Sequence, residues 1–307
     1  MKRLPTYLGN RVRRYALAFW PLGVLALLCI AFFWDVFMLP ADKILGGEDL
    51  TNLFWHWSQF AVSSLRESQF PLWNPYLFSG IPFVANPQPA LFYPPTWLAY
   101  LMPINRALGL IVALHVWIAG AGMYGWIRSE KASKLGALFA AVVFAFSGYF
   151  LARIRGGHLG VLTTGSWLTV LLWVYRGVCA RRDWALAVVA GLPFGLSVLA
   201  GHIASVAYVA LGLVAYSAFH AWKGWQKRHT ARATMLPLLW ATVILLVGVG
   251  VAAAQLLPTA ELVNHSTRQA EANYGFAARF SWPPGHLLTL LVPNFFGEPT
   301  QTGYWSD

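Results

Sequence analysis

Long apolar runs constrain the fold of this chain more than any other feature of the sequence. A helix needs about 20 apolar residues to cross the hydrocarbon core of a bilayer. The sequence predicts seven such spans, at residues 15–34, 107–127, 135–152, 159–175, 184–200, 203–222 and 235–257. With 58% apolar residues and a mean hydropathy of +0.54, we predict an all-α polytopic membrane protein.

The Lys and Arg residues predict the orientation of these spans, because short basic loops stay on the cytoplasmic side. With the N-terminus inside, fifteen basic and two acidic residues give the inner face a charge of +13. Seven basic and nine acidic residues give the outer face −2, and the two faces together give the formal +11. Topology and membrane lipids therefore explain the basic composition, and nucleic acid is not an expected partner.

The predicted connections differ in length. Five are short, whereas residues 35–106 form a first extracytoplasmic loop, and a loop of that length usually carries function. A second outer segment begins at Pro258 and stops in mid-loop at Asp307. We therefore expect a transmembrane module over 1–257 and the start of a second, truncated outer loop over 258–307, in the N-terminal part of a longer protein.

The first loop is predicted to be ordered, because it is rich in aromatic and apolar residues. The apolar residues of 51–68 fall on one helical face, which predicts an amphipathic helix in the membrane surface, capped by Thr51 or Asp49. Seven prolines from Pro71 to Pro95 exclude a long helix in that stretch.

Glu48 and Asp49 are adjacent carboxylates in this loop. Carboxylates just above the outer membrane surface can act as a general base or coordinate a divalent cation such as Mg²⁺ or Mn²⁺. The alternative is that Asp49 only caps the following helix and that Glu48 faces water.

Arg153, Arg155 and His158 lie in the predicted outer turn between the third and fourth spans, where basic residues are disfavoured. Guanidinium groups beside glycine backbone suit a phosphate group. The alternative is that these side chains extend to lipid head groups. His202 is placed at a helix end on the same outer side.

Several short segments of the chain resemble the bacterial YfhO-type membrane proteins. The matching segments are GEDLTNLF (47–54), PLWNPY (71–76), GIP (80–82), NPQ (86–88), FYP (92–94), LVPNFFG (291–297) and GYW (303–305). The resemblance implies membership of the GT-C glycosyltransferase superfamily and location in the bacterial cytoplasmic membrane. It also implies a core of seven helices, an essential loop acid that matches Asp49, and a polyprenyl-phosphate sugar as donor.

The expected function is inverting transfer of a sugar from that donor to a cell-envelope glycopolymer or lipid acceptor on the outer face. Asp49 would bind a metal or deprotonate the acceptor, with assistance from Glu48. The expected substrate-binding residues are Arg153, Arg155 and His158 for the phosphate, with Trp73, Asn74, Asn86, Gln88 and His202 completing the site. Two alternatives stay open at this point: a flippase or transporter of the lipid-linked sugar, and a non-catalytic partner in envelope assembly.

Overall fold

A computed structural model describes residues 20–40, 42–266, 274–278, 281 and 283–297. The first predicted span begins outside these residues. The chain forms two compact units, Met1–Glu261 and Leu262–Asp307, and most of the helices described below belong to the first unit. The described residues are mainly helical, as the sequence predicts for a helical membrane protein.

The longer helices are α1 (Trp20–Phe32), α2 (Trp55–Arg66), α3 (Ile104–Ser129), α4 (Lys134–Ala145), α5 (Gly148–Gly156), α6 (Leu159–Arg181), α7 (Trp184–Val189), α8 (Gly191–Leu199), α9 (Ile203–Arg228), α10 (Ala231–Val251) and α11 (Ala253–Asn264). One-turn α-helices span Trp34–Phe37, Leu98–Leu101 and Tyr274–Ala278, a π-helix spans Leu50–Phe54, and 3₁₀ helices span Pro94–Trp97 and Pro284–Leu290. The described sheet is one antiparallel hairpin, in which β1 (Trp73–Asn74) pairs with β2 (Ile81–Pro82).

Within the described residues, four helices are long and apolar enough to cross a membrane: α3, α4 together with α5, α9, and α10. Helix α1 and the α7–α8 segment are apolar but shorter. Helix α6 has 23 residues, but threonine and serine lower its hydropathy. Helices with the length and composition of membrane spans are therefore present, and the count of seven stays a prediction.

The third predicted span is present as the candidate span formed by α4 and α5, which is interrupted at Phe146 and Ser147. One predicted boundary is wrong. Helix α11 continues through Pro258, where the sequence placed the start of a loop. Polar contacts hold α11 at this point, because Gln255 Nε2 donates to the Val84 carbonyl at 3.1 Å and Thr259 Oγ1 donates to the Ala85 carbonyl at 2.8 Å.

The first loop is ordered, as predicted, and its apolar residues pack against the helix bundle. Leu50, Phe54, Trp57 and Phe83 are buried in one cluster with Ile111 of α3. Much of the apolar face of the amphipathic helix α2 is therefore covered by the protein itself, whereas the sequence placed that face in the membrane surface.

A buried hydrogen-bond network joins the loop to the bundle. His115 Nδ1 donates to the Ile111 carbonyl at 2.6 Å, so its Nε2 is the acceptor for the Tyr93 hydroxyl at 2.5 Å. Trp167 Nε1 donates to the oxygen of that hydroxyl at 2.7 Å. Every polar atom in the network has a partner, which is what burial of polar groups requires.

We expect Tyr93→Phe to destabilise the protein, because it leaves the His115 and Trp167 nitrogens buried without partners. Each unsatisfied group costs about 1–3 kcal/mol. The measurement is the midpoint of thermal unfolding in a neutral detergent. Tyr76→Phe is the matched control, since Tyr76 is 81% exposed, and an equal midpoint for the two variants would contradict a stabilising role for the network.

Candidate functional site

Five of the predicted site residues line one open cavity of about 610 Å³. They are Asp49, Gln88, Arg153, His158 and His202. These residues come from the first loop, from α5, and from the residues that precede α6 and α9. The tertiary structure thus brings together groups that are up to 153 positions apart in the sequence.

A close backbone contact places Asp49 in this cavity. Gly47 and Gly157 both have positive φ angles, +135° and +75°. A Cβ atom on Gly47 would lie 2.6 Å from the Gly157 Cα, and one on Gly157 would lie 2.5 Å from the Leu50 amide nitrogen. Only residues without a side chain permit this approach, so the loop containing Asp49 lies directly against the end of α5.

The predicted capping role of Asp49 and Thr51 is wrong. Asp49 precedes the π-helix and forms no side-chain cap hydrogen bond. Thr51 Oγ1 donates to the carbonyl oxygens of Gly47 and Glu48, at 3.1 and 3.0 Å, because a short hydroxyl side chain readily bonds to the preceding turn. The Asp49 carboxylate is therefore not used in capping and can act in the cavity.

Arg153 and Asp49 contact opposite sides of the His158 ring. Arg153 Nη1 donates to His158 Nδ1 at 3.1 Å, and an arginine nitrogen cannot accept. Neutral His158 must then carry its proton on Nε2, which lies 3.6 Å from Asp49 Oδ2. The contact is longer than a hydrogen bond, but it directs an N–H group toward the carboxylate.

Arg153 is held in place on two sides. Its guanidinium lies 5.2 Å from the centre of the Tyr149 ring, in cation–π geometry, and Nη1 bonds to His158. The Nε atom is buried and has no hydrogen-bond partner among the described residues. Because a buried guanidinium N–H without an acceptor is costly, this atom is a candidate donor to a bound anion.

His202 is oriented by Ser205. The Ser205 amide donates to His202 Nδ1 at 3.2 Å, and the Ser205 hydroxyl lies 2.8 Å from the same nitrogen. Burial lowers the pKa of His202, and the charge of Arg153 lowers it further. His202 is therefore neutral at pH 7, and its proton is on Nε2, where it can be donated to a ligand.

Two helix N-termini also border the cavity. His158 precedes the first residue of α6 and His202 precedes that of α9, and Gly160, Val161 and Ser205 in the first turns line the cavity. The first amide groups of a helix lack internal partners, and the helix dipole is positive at this end. Together with Arg153, these groups favour an anion such as phosphate.

The donors around Asp49 do not fit a resident metal ion. Mg²⁺ and Mn²⁺ prefer oxygen ligands, whereas the ionisable groups beside this carboxylate are a guanidinium and two imidazoles. In the part of the chain that the structure describes, no group of three or more His, Cys, Asp or Glu residues is arranged to hold a metal.

The other predicted site residues lie outside the cavity. Glu48 and Arg155 are exposed. Trp73 is 53% exposed and covers Gly80. Asn74 Oδ1 accepts from the Tyr76 amide, and Asn86 Oδ1 accepts from the Gln88 amide, so both asparagines stabilise turns of the loop. Asn74 also lines a second cavity, of about 890 Å³, beside α2.

Sequence analysis missed several residues that line the site, notably Tyr149, Ser205 and Tyr208. Spacing offered a signal for two of them. Tyr149 lies four residues before Arg153 and Ser205 three residues after His202, and such pairs are neighbours on a helix. Tyr208 carried no comparable signal.

Comparisons of the chain with protein-family models, curated proteins and solved structures gave no match.

We expect Gly157→Ala to displace the loop segment 47–50 and to lower stability by at least about 1 kcal/mol, the approximate cost of a side chain at positive φ. Thermal unfolding in detergent measures the effect. Gly148→Ala is the control, because a Cβ atom there meets nothing within 4 Å. Equal midpoints for the two variants would show that the contact at Gly157 is dispensable.

We expect His202 to make stability depend on pH. Its folded pKa lies below the ordinary value of 6.5, so its contribution is complete above pH 6.5 and is lost as pH falls through the folded pKa. The unfolding midpoint should therefore drop between pH 7.5 and 5.5, and His202→Asn should reduce that drop. An identical drop in both proteins would contradict this assignment.

Proposed function

We propose that this chain is a YfhO-type member of the GT-C superfamily that transfers a sugar from a polyprenyl-phosphate donor to a cell-envelope acceptor. The carrying observation is that the Asp49 carboxylate shares a cavity with Arg153 and with two helix N-termini. Sugar transfer from a lipid phosphate needs both a base for the acceptor and a positive site for the leaving phosphate.

The donor phosphate binds between α5 and the first turns of α6 and α9. Arg153 supplies the guanidinium, with the buried Nε as an available donor. His202 supplies the Nε2 proton that its contacts with Ser205 fix. These donors are in place before the reaction and stabilise negative charge that grows on the phosphate as the sugar leaves.

The acceptor is activated by Asp49. Its hydroxyl oxygen attacks the anomeric carbon, and its proton passes to the Asp49 carboxylate. The bond from the anomeric carbon to the phosphate oxygen breaks, and the electron pair stays on the phosphate. His158 is a positioning residue here: Arg153 fixes its tautomer, and its Nε2 proton orients the carboxylate. One displacement from the opposite side inverts the configuration.

The lipid part of the donor lies along α9. Tyr208 lines the cavity and is 72% exposed, and the neighbouring Ile203 and Leu211 are exposed as well. Apolar side chains exposed on a membrane helix face lipid tails, so a polyprenyl chain can extend from the cavity into the bilayer. In this proposal the chain crosses the membrane seven times, its N-terminus lies inside the cell and the cavity beside Asp49 opens on the outer face.

We expect Asp49→Asn to abolish transfer, because an amide cannot take the acceptor proton, and a loss of about 10²–10⁴-fold is typical for a general base. The measurement is envelope glycan content in a gene-deletion strain complemented with the chain at matched membrane expression. Glu48→Gln is the control, because Glu48 is exposed outside the cavity, and it should retain the glycan.

Full glycan content with Asp49→Asn would overturn the proposed transferase. If the same variant also moved lipid-linked sugar across the membrane at the wild-type rate, the flippase alternative would replace it. Loss of the glycan with both variants would indicate a structural role for this part of the loop.

A further inference from the structure

Another cavity, of about 450 Å³, is lined by charged side chains. It lies at the C-terminal ends of α6 and α9, whereas Asp49 lies near their N-terminal ends. Gly160 lines the Asp49 cavity and Cys179 lines this one, and 19 residues of α6 at a rise of about 1.5 Å per residue separate them by roughly 28 Å. The C-terminal parts of α6 and α9 and the N-terminal part of α10 form its walls. The proposed transfer reaction uses none of these residues.

Basic side chains dominate this cavity. They are Arg176, Arg182, Lys223, Lys227, Arg228 and Arg232. Glu130 is the one carboxylate among the described residues of its lining. A concave, cationic surface of this kind attracts anions.

Glu130 neutralises only one of these cations. Arg176 Nε donates to Glu130 Oε1 at 3.0 Å, and the Tyr216 hydroxyl donates to the same oxygen. Burial acts to raise the pKa of Glu130, but the bond from Tyr216 and the charge of Arg176 lower it overall. Among the described residues, no carboxylate forms an ion pair with the other five basic side chains.

Uncharged nitrogen atoms in the lining also lack partners. Trp240 is 2% exposed, and its Nε1 has no acceptor within the described residues. The buried Nε2 of His220 also has no hydrogen-bond partner within the described residues. A buried indole N–H normally finds an acceptor, so the lining offers a neutral donor in addition to its charges.

The walls of the cavity are closely packed. A Cβ atom on Gly224 would lie 2.4 Å from the Ala233 carbonyl oxygen, so α9 and α10 are in backbone contact there. Thr230 caps α10 through a bond from the Ala233 amide, and the positive end of the α10 dipole adjoins the cavity. Because α9 and α10 are in backbone contact, the basic side chains that they carry are attached to closely packed helices.

We propose that this cavity binds a phosphate-bearing anion. The ligand chemistry is one or two phosphate groups, carried either by the head group of an anionic phospholipid or by a soluble phosphorylated compound. Arginine and lysine recognise phosphate through charge-assisted hydrogen bonds. Lys131, which follows α3, and Arg181, in the last turn of α6, lie outside the cavity, so the packing of α6, α9 and α10 selects which basic side chains line it.

The test is thermal unfolding of the full chain in a neutral detergent at constant ionic strength, with two separate probes. Sodium pyrophosphate represents a soluble phosphate compound, and phosphatidylglycerol, compared with phosphatidylcholine, represents a lipid head group. We expect a saturable rise of the unfolding midpoint with at least one probe. A response to phosphatidylglycerol alone identifies the lipid source, and a response to pyrophosphate shows that a free phosphate is sufficient.

Two double variants with equal charge change separate a site from general attraction. Arg228→Gln with Arg232→Gln removes two basic groups of the cavity, whereas Lys131→Gln with Arg181→Gln removes two outside it. We expect the first pair to weaken apparent affinity by roughly tenfold or more, the effect of about 1.4 kcal/mol, and the second to change it little. Lys227→Gln is a milder cavity variant if the first pair folds poorly.

An absence of saturable stabilisation by both probes would overturn the proposal. Equal weakening by the two double variants would overturn it as well, because it would show attraction by the whole charged face. Both outcomes are independent of sugar transfer and of Asp49.

Discussion

Backbone contact between Gly47 and Gly157 is the constraint on which the cavity beside Asp49 depends. Because neither residue has a side chain, the first loop lies directly against the end of α5, and Asp49 comes within reach of His158. Burial of Leu50 and Phe54 immediately after Asp49 fixes the loop from the other direction. Packing and backbone geometry thus position the carboxylate, which forms no capping hydrogen bond with the next helix.

The rest of the loop is held by hydrogen bonds between buried polar groups. A polar group buried among apolar helices must find its partner inside the protein. Tyr93 satisfies both His115 and Trp167, and the side chains of Gln255 and Thr259 satisfy loop carbonyls. These contacts explain how a segment with seven prolines between residues 71 and 95 is ordered over the bundle without long helices or strands.

Helices α6 and α9 each have a charged cavity at both ends, and the chemistry of the two ends differs. The cavity beside Asp49 combines a carboxylate with cationic and neutral donors, an arrangement suited to proton removal beside a phosphate. The cavity beside Arg176 has cations in excess, and its one described carboxylate is already paired. It is therefore suited to binding an anion.

The sequence by itself determined the helical membrane class, the ordered proline-rich loop and the position of the unusual polar residues near helix ends, since apolar runs, prolines and charges act locally. It could not choose between Arg153 and Arg155, which lie two residues apart and thus point about 200° apart around one helix. Nor could it separate Gln88 from Asn86, although the family resemblance already favoured Asp49 over Glu48. Only the tertiary structure decided between the two arginines and between Gln88 and Asn86, because long-range packing selects which side chains face a shared cavity.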